Sequence, residues 1–95
     1  MNTRIQDVQI IPIRERDGLV GFASFTIDNN FYMGSIGVHT RPSGGLRLLY
    51  PTSKVSNNSI PIFHPINSTI ANEIEEAVVA KFEKLHGSST INFKI

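Results

Sequence analysis

Phe63-His64-Pro65-Ile66-Asn67-Ser68-Thr69 is the stretch on which the reading of this chain turns. A proline fixes one backbone angle and withholds an N–H, which suits the approach to a helix and not its interior. The polar run that follows offers side-chain oxygens to the unpaired N–H groups of a first helical turn, so Asn67 or Ser68 is the expected N-cap. Downstream, Ile70, Ile74, Ala77, Val78, Phe82 and Leu85 recur at helical spacing and make one apolar stripe. Glu73, Glu75 and Glu76 are expected near the positive end of the helix dipole, and Lys81 and Lys84 near the negative end. Gly87 fits the position just past the C-terminus. A helix with a single apolar stripe covers one face of a sheet.

The sheet is sought upstream. Arg4 to Ile13 is rich in Val and Ile and reads as a first strand. Arg14 to Gly18 reads as a charged hairpin turn centred on Asp17-Gly18. Leu19 to Asp28 is a second strand, with Leu19, Gly21, Ala23, Phe25 and Ile27 on one face and Val20, Phe22, Ser24 and Thr26 on the other. Asp28-Asn29-Asn30 is a turn, because Asn tolerates a positive φ. Phe31 to Val38 returns as a third strand, with Tyr32, Ile36 and Val38 assigned to one face. Gly34 and Gly37 interrupt it and suggest a bulge or a close backbone approach. Arg41 to Gly45 is a loop, and Leu46 to Tyr50 a short fourth strand. Thr52 to Ser59 is polar and reads as a mobile segment, and Ile60 to Phe63 as extended chain at a sheet edge. Thr90 to Ile95 reads equally as a terminal strand or a loose tail. The expectation is one α+β domain over residues 1–95: a twisted antiparallel meander of four to five strands with one long C-terminal helix packed on it.

Composition narrows the function classes. There are no cysteines, which excludes disulfides and thiolate metal sites and fits a reducing, cytoplasmic setting. No hydrophobic run approaches the length of a membrane span, and the N-terminus lacks the apolar core of a secretory signal. Neither a membrane partner nor a cofactor is expected. A domain of this size without staples gains from a second subunit that buries more surface.

Net charge is +1, so the total does not point to nucleic acid, but the distribution does to a degree. Between Asn29 and Asn72 there is no Asp or Glu, while Arg41, Arg47 and Lys54 fall there with His39 and His64. Arg41, Arg47 and Lys54, with Lys81 and Lys84 from the helix end, are the candidate phosphate contacts. Tyr32, Tyr50 and Phe63 are candidate stacking rings, with core packing favoured for Phe63. The helix carries four Glu and two Lys, which disfavours it as a recognition helix in a major groove.

Other chemistry is weakly supported. His39, His64 and His86 have no compact ligand spacing, so no metal site is assigned, and His64 is read as a structural hydrogen-bonding group beside the helix start. No serine sits in a nucleophile elbow, and Ser43-Gly44-Gly45 is too short to cradle a phosphate. No enzyme and no small-molecule substrate are expected.

Three segments resemble the stage V sporulation protein G (SpoVG) family of septation regulators. Ala23-Ser24-Phe25-Thr26-Ile27-Asp28 followed by Phe31 is similar to its A-S-(I/V)-T-(L/F)-D…F pattern. Gly45-Leu46 and Pro51-Thr52-Ser53-Lys54 are similar to its G-L…(M/Y)-P-S-(K/R) segment with one residue inserted. His64-Pro65-Ile66-Asn67-Ser68 matches its H-P-I-N-(S/T) segment. The resemblance covers roughly Leu19 to Leu85. It implies a cytoplasmic, cofactor-free, homodimeric regulator that binds DNA and RNA and influences cell division, sporulation septation and gene expression. Lys54 is the one basic residue that the motif carries over. Two departures remove potential phosphate contacts: Gly37 stands where the family commonly has a basic residue, and His86-Gly87-Ser88-Ser89 replaces a more charged tail. The rival class is a protein-interaction module that regulates division through an exposed sheet edge, offered by the Ile60–Pro65 segment or the Gly-broken third strand.

Overall fold

A computed structural model describes residues 4–85; the helix-stop glycine at 87 and the strand or tail at 90–95 lie outside the described residues. The elements in chain order are β1 (Ile5–Arg16), β2 (Leu19–Ile27), β3 (Phe31–Thr40), β4 (Leu46–Leu49), β5 (Thr52–Val55), β6 (Asn58–Pro61) and α1 (Ser68–Leu85). The first four strands form one antiparallel sheet in the order β1-β2-β3-β4. The helix lies across one face of it and packs on β1 and β4. This is the expected α+β fold.

Two turns follow directly from residue chemistry. Asp17 and Gly18 take φ of 54° and 91°, and Asp28 and Asn29 take 54° and 59°. Two consecutive left-handed residues are what the tight hairpin turn requires, and Asp, Asn and Gly supply them at least cost. Consequently β1 runs on through Arg14-Glu15-Arg16, which the charge pattern assigns to the turn. The Glu15 carboxylate accepts a hydrogen bond from the Gly18 N–H at 2.6 Å and braces the hairpin.

Strand bulges decide which side chains are buried. Ala23 pairs with Ile36 but Phe25 pairs with Met33, so β3 carries one extra residue there. Ser35 sits in that bulge with φ 61°. A one-residue insertion reverses the alternation of faces. Met33 therefore packs against the core with Ile36 and Val38, and Tyr32 is thrown outward at 73% exposure. The assignment of Tyr32 to the face of Ile36 and Val38 is thus corrected, and the bulge that Gly34 suggested is its cause. A Cβ on Gly34 would lie 2.9 Å from the Tyr32 hydroxyl, so the ring lies over the glycine backbone. A second register shift, between Leu19 and Gly21, turns Val20 into the core along with Gly21 and Ala23. Gly21 is a true close approach, since a Cβ there would meet the Ile11 carbonyl at 2.8 Å.

The core consists of Ile5, Ile10, Val20, Ala23, Phe25, Ile36, Val38 and Leu46 from the sheet, closed by Ile74, Val78 and Phe82 from α1. Ile70 and Ala77 are partly buried beside it, while Leu85 at the end of the stripe is exposed.

The helix start matches its sequence closely. The Asn67 Oδ1 accepts the Ile70 N–H at 2.9 Å, and the Asn67 carbonyl accepts the Ala71 N–H at 3.1 Å. Asn67, not Ser68, is the N-cap. His64 Nδ1 lies 3.0 Å from the Pro65 carbonyl, which is the local structural bond expected of it. The acids behave differently from the expectation: the first turn holds none. Glu73 sits a turn later and binds the Arg4 guanidinium with both oxygens, each at 3.1 Å, tying the helix to the start of β1.

The segment read as mobile is a hairpin. β5 and β6 pair antiparallel around Ser56-Asn57, with Ser56 at φ 58°. Both strands are exposed throughout, and they form a two-stranded sheet separate from the main one. β3 lies between β2 and β4, so the Gly-broken strand offers no edge.

Candidate nucleic-acid interface

The five basic candidates divide between three places. Arg41 follows β3 in the Arg41–Gly45 loop, which closes on itself through Arg41 N–H to Gly45 O (3.0 Å) and Gly44 N–H to Arg41 O (2.9 Å). Its guanidinium lies 3.7 Å from the Glu75 carboxylate, so part of its charge is already answered from the helix. Lys81 and Lys84 ride on α1, on the covered side of the sheet. Lys54 is on the exposed β5 strand. Arg47 is on β4 and faces away from the helix, because its strand neighbours Leu46 and Leu48 face the core.

The helix side is acidic. A cleft of about 400 Å³ between the Arg41–Gly45 loop and α1 is lined by Arg41, Leu46, Phe82, Glu75 and Glu83. The outer surface of α1 adds Glu76. Carboxylates of this density repel a phosphate chain, so the helix side is the poorer half for nucleic acid. Near the helix start, Tyr50 and Phe63 meet edge to face with centroids 6.1 Å apart at 74°. Burial first, and the nearby Glu75 charge second, push the Tyr50 hydroxyl up to about 12. Both rings line an apolar hollow of about 230 Å³ with Phe25, Met33 and Ile70, so they serve packing and not base stacking.

The opposite face of the sheet carries a different set. Register places Arg16, Leu19, His39 and Arg47 in one row across all four strands. The next row on the same face is Ile11, Phe22, Gly37 and Leu49. A Cβ on Gly37 would have Leu19 Cδ1 at 3.4 Å, Leu49 Cβ at 3.7 Å and His39 Cδ2 at 3.8 Å, which fixes all three side chains on this side. Farther along lie Gln9 opposite Ser24, then Thr26, whose hydroxyl donates to Asp7 Oδ2 at 3.3 Å. Among the described residues no helix covers any of these.

Sequence reasoning singles out Arg47 but misses Arg16 and Phe22. Arg16 reads as part of a turn, and Phe22 as one half-covered strand residue among others. Only cross-strand register, which the β1 and β2 bulges reset, brings them into adjoining rows. Among the described residues no group of three or more His, Cys, Asp or Glu converges as a metal site would. No helix of the described residues is long and apolar enough to cross a membrane.

Comparison with known proteins finds relatives over most of the chain. The family model described as SpoVG matches residues 3–84. Curated relatives carrying a SpoVG septation-protein name include one from Clostridium acetobutylicum, 31% identical over 83 residues, covering 86% of this chain and 86% of the relative. One from Thermoanaerobacter sp. is 31% identical over 81 residues, 84% of this chain and 87% of the relative. One from Clostridium kluyveri is 28% identical over 89 residues, 93% of this chain and 92% of the relative.

Proposed function

The chain belongs to the SpoVG family, and on that premise we propose that it is a non-enzymatic, cytoplasmic regulator of the septation type that acts by binding DNA or RNA as a homodimer. The observation that carries the reading is electrostatic. Arg47 and Lys54 are exposed, and among the described residues no carboxylate lies within ion-pair distance of either. Exposed cations without a carboxylate partner, on a nearly neutral chain, suit a polyanion, and a two-fold symmetric pair of subunits doubles the contacts. Lys81 and Lys84 lie on α1 among Glu75, Glu76 and Glu83, and Arg41 shares its charge with Glu75, so these three are the weaker candidates.

The test is fluorescence anisotropy of labelled duplex DNA and single-stranded RNA over a salt series. Binding should weaken steeply with salt. Arg47→Ala and Lys54→Ala should each weaken it and flatten the salt slope while leaving the melting temperature unchanged. Parent-like binding by both variants would remove these residues from the site. A rival, protein association through a sheet edge, is less well supported by the geometry. In the four-stranded sheet one free edge is β4, only four residues long, and the other, β1, is broken by bulges; the edge at Ile60 belongs to β6, four residues long and ending in Pro61.

A further inference from the structure

We propose that the helix-free face of the sheet is a platform for single-stranded nucleic acid, with Phe22 stacking on an unpaired base and Arg16 and Arg47 holding the flanking phosphates. The inference rests on the nucleic-acid reading above and gives it a location and a strand preference.

Three features of that face support it. First, Phe22 lies in the middle of its row and is 40% exposed, though no helix or loop requires it to be apolar. It stands beside Gly37, which carries no side chain of its own and is flanked by Leu19, Leu49 and His39. Second, Arg16 and Arg47 end the neighbouring row on the two outer strands. Three interstrand steps set their backbones roughly 14 Å apart, and on β3 and β4 two residues, His39 to Gly37 and Arg47 to Leu49, set the row about 7 Å from that of Phe22. A phosphate chain crossing from Arg47 to Arg16 would thus pass His39 and present its bases toward Phe22. Third, neither guanidinium has an ion-pair partner among the described residues, while Glu15, the nearest acid in sequence to Arg16, is turned toward the Gly18 N–H.

The strand preference follows from the stacking group. In a duplex the faces of the bases are already stacked on one another, so a ring on a flat sheet reaches a base face only where the strand is unpaired. The apolar strip is narrow: the arginine row adds only Leu19 to Ile11, Phe22 and Leu49, and Gln9 and Ser24 bound the other side. A strip so narrow suits a line of bases better than the broad apolar centre of a stable dimer interface.

The chain has no Trp, which gives a direct readout. Phe22→Trp places one indole at the stacking position. Its emission should be quenched on addition of a single-stranded DNA or RNA oligonucleotide, with affinity kept. Phe22→Ala should lose about five- to hundredfold in single-strand affinity. Arg16→Ala with Arg47→Ala should flatten the salt slope by about two contacts. Melting curves, read by circular dichroism, should stay cooperative in all three. If the parent binds nucleic acid but Phe22→Ala binds single strands equally well, or the indole is not quenched, the platform is wrong and the family-level reading stands. If Phe22→Ala keeps its affinity and converts a dimer to a monomer by light scattering, the face belongs to a second copy. If the parent binds neither single strands nor duplex, both the platform and the nucleic-acid reading fall.

Discussion

The two faces of the four-stranded sheet are made by the same strands and have opposite properties. On the covered face, Ala23, Phe25, Ile36 and Val38 are at most 2% exposed, sealed by Ile74, Val78 and Phe82 of α1. On the other, Phe22, next to Ala23 in β2, and Leu49, opposite Gly37, keep 40% of their surface. Strand alternation produces both faces at once, but the helix seals only one. Stability therefore resides in the covered face, and the open face is where side chains change at little cost to folding.

That division can be broken or sharpened by substitution. The largest effect is expected from Phe82→Ala, which empties a fully packed site and should lower unfolding free energy by about 3–5 kcal/mol in denaturant titrations. Phe22→Ala, the same change on the open face, should cost about 1 kcal/mol, because much of that ring is already in water. Equal costs would mean that the open face is covered in solution. Next come the glycines. Gly21→Ala drives a methyl into the Ile11 carbonyl and should destabilise by about 1–3 kcal/mol, whereas Gly37→Ala meets only ordinary contacts and should melt like the parent.

Asn67→Ala removes the cap on the helix that makes the difference between the faces, and should cost about 1 kcal/mol. The smallest effect is expected from Glu73→Gln. The Arg4 hydrogen bond holds the Glu73 carboxyl below its ordinary value. A depressed carboxylate stabilises the fold above its unfolded pKa and loses that contribution as pH falls through its folded value. Parent and variant should therefore differ slightly near neutrality and converge in acid, as read from melting temperatures across pH.

Much of this architecture is legible in the amino-acid sequence. The helix, its cap and its buried stripe follow from Asn67 and from Ile74, Val78 and Phe82 at their spacing. The two tight turns follow from Asp17-Gly18 and Asp28-Asn29. Faces are legible only where strands alternate without interruption. Gly34 announces a bulge, but not that Ser35 is the residue that reverses the pattern and expels Tyr32. The β5–β6 hairpin escapes because its strands are four residues each and the poor strand formers Lys54, Asn58 and Pro61 interrupt Thr52, Val55 and Ile60. Of the open face, only Arg47 stands out in the sequence. The others acquire meaning from partners in distant strands.

The bulges of β1 carry one more consequence. An outer strand twelve residues long is a template for stacking copies into fibres. Here the ladder slips at Asp7, whose φ is 52°, and again after Pro12, which has no N–H to lend. No straight run long enough to recruit another molecule is left on that side. The irregularities that reset its pairing with β2 also leave this edge a poor template for other copies.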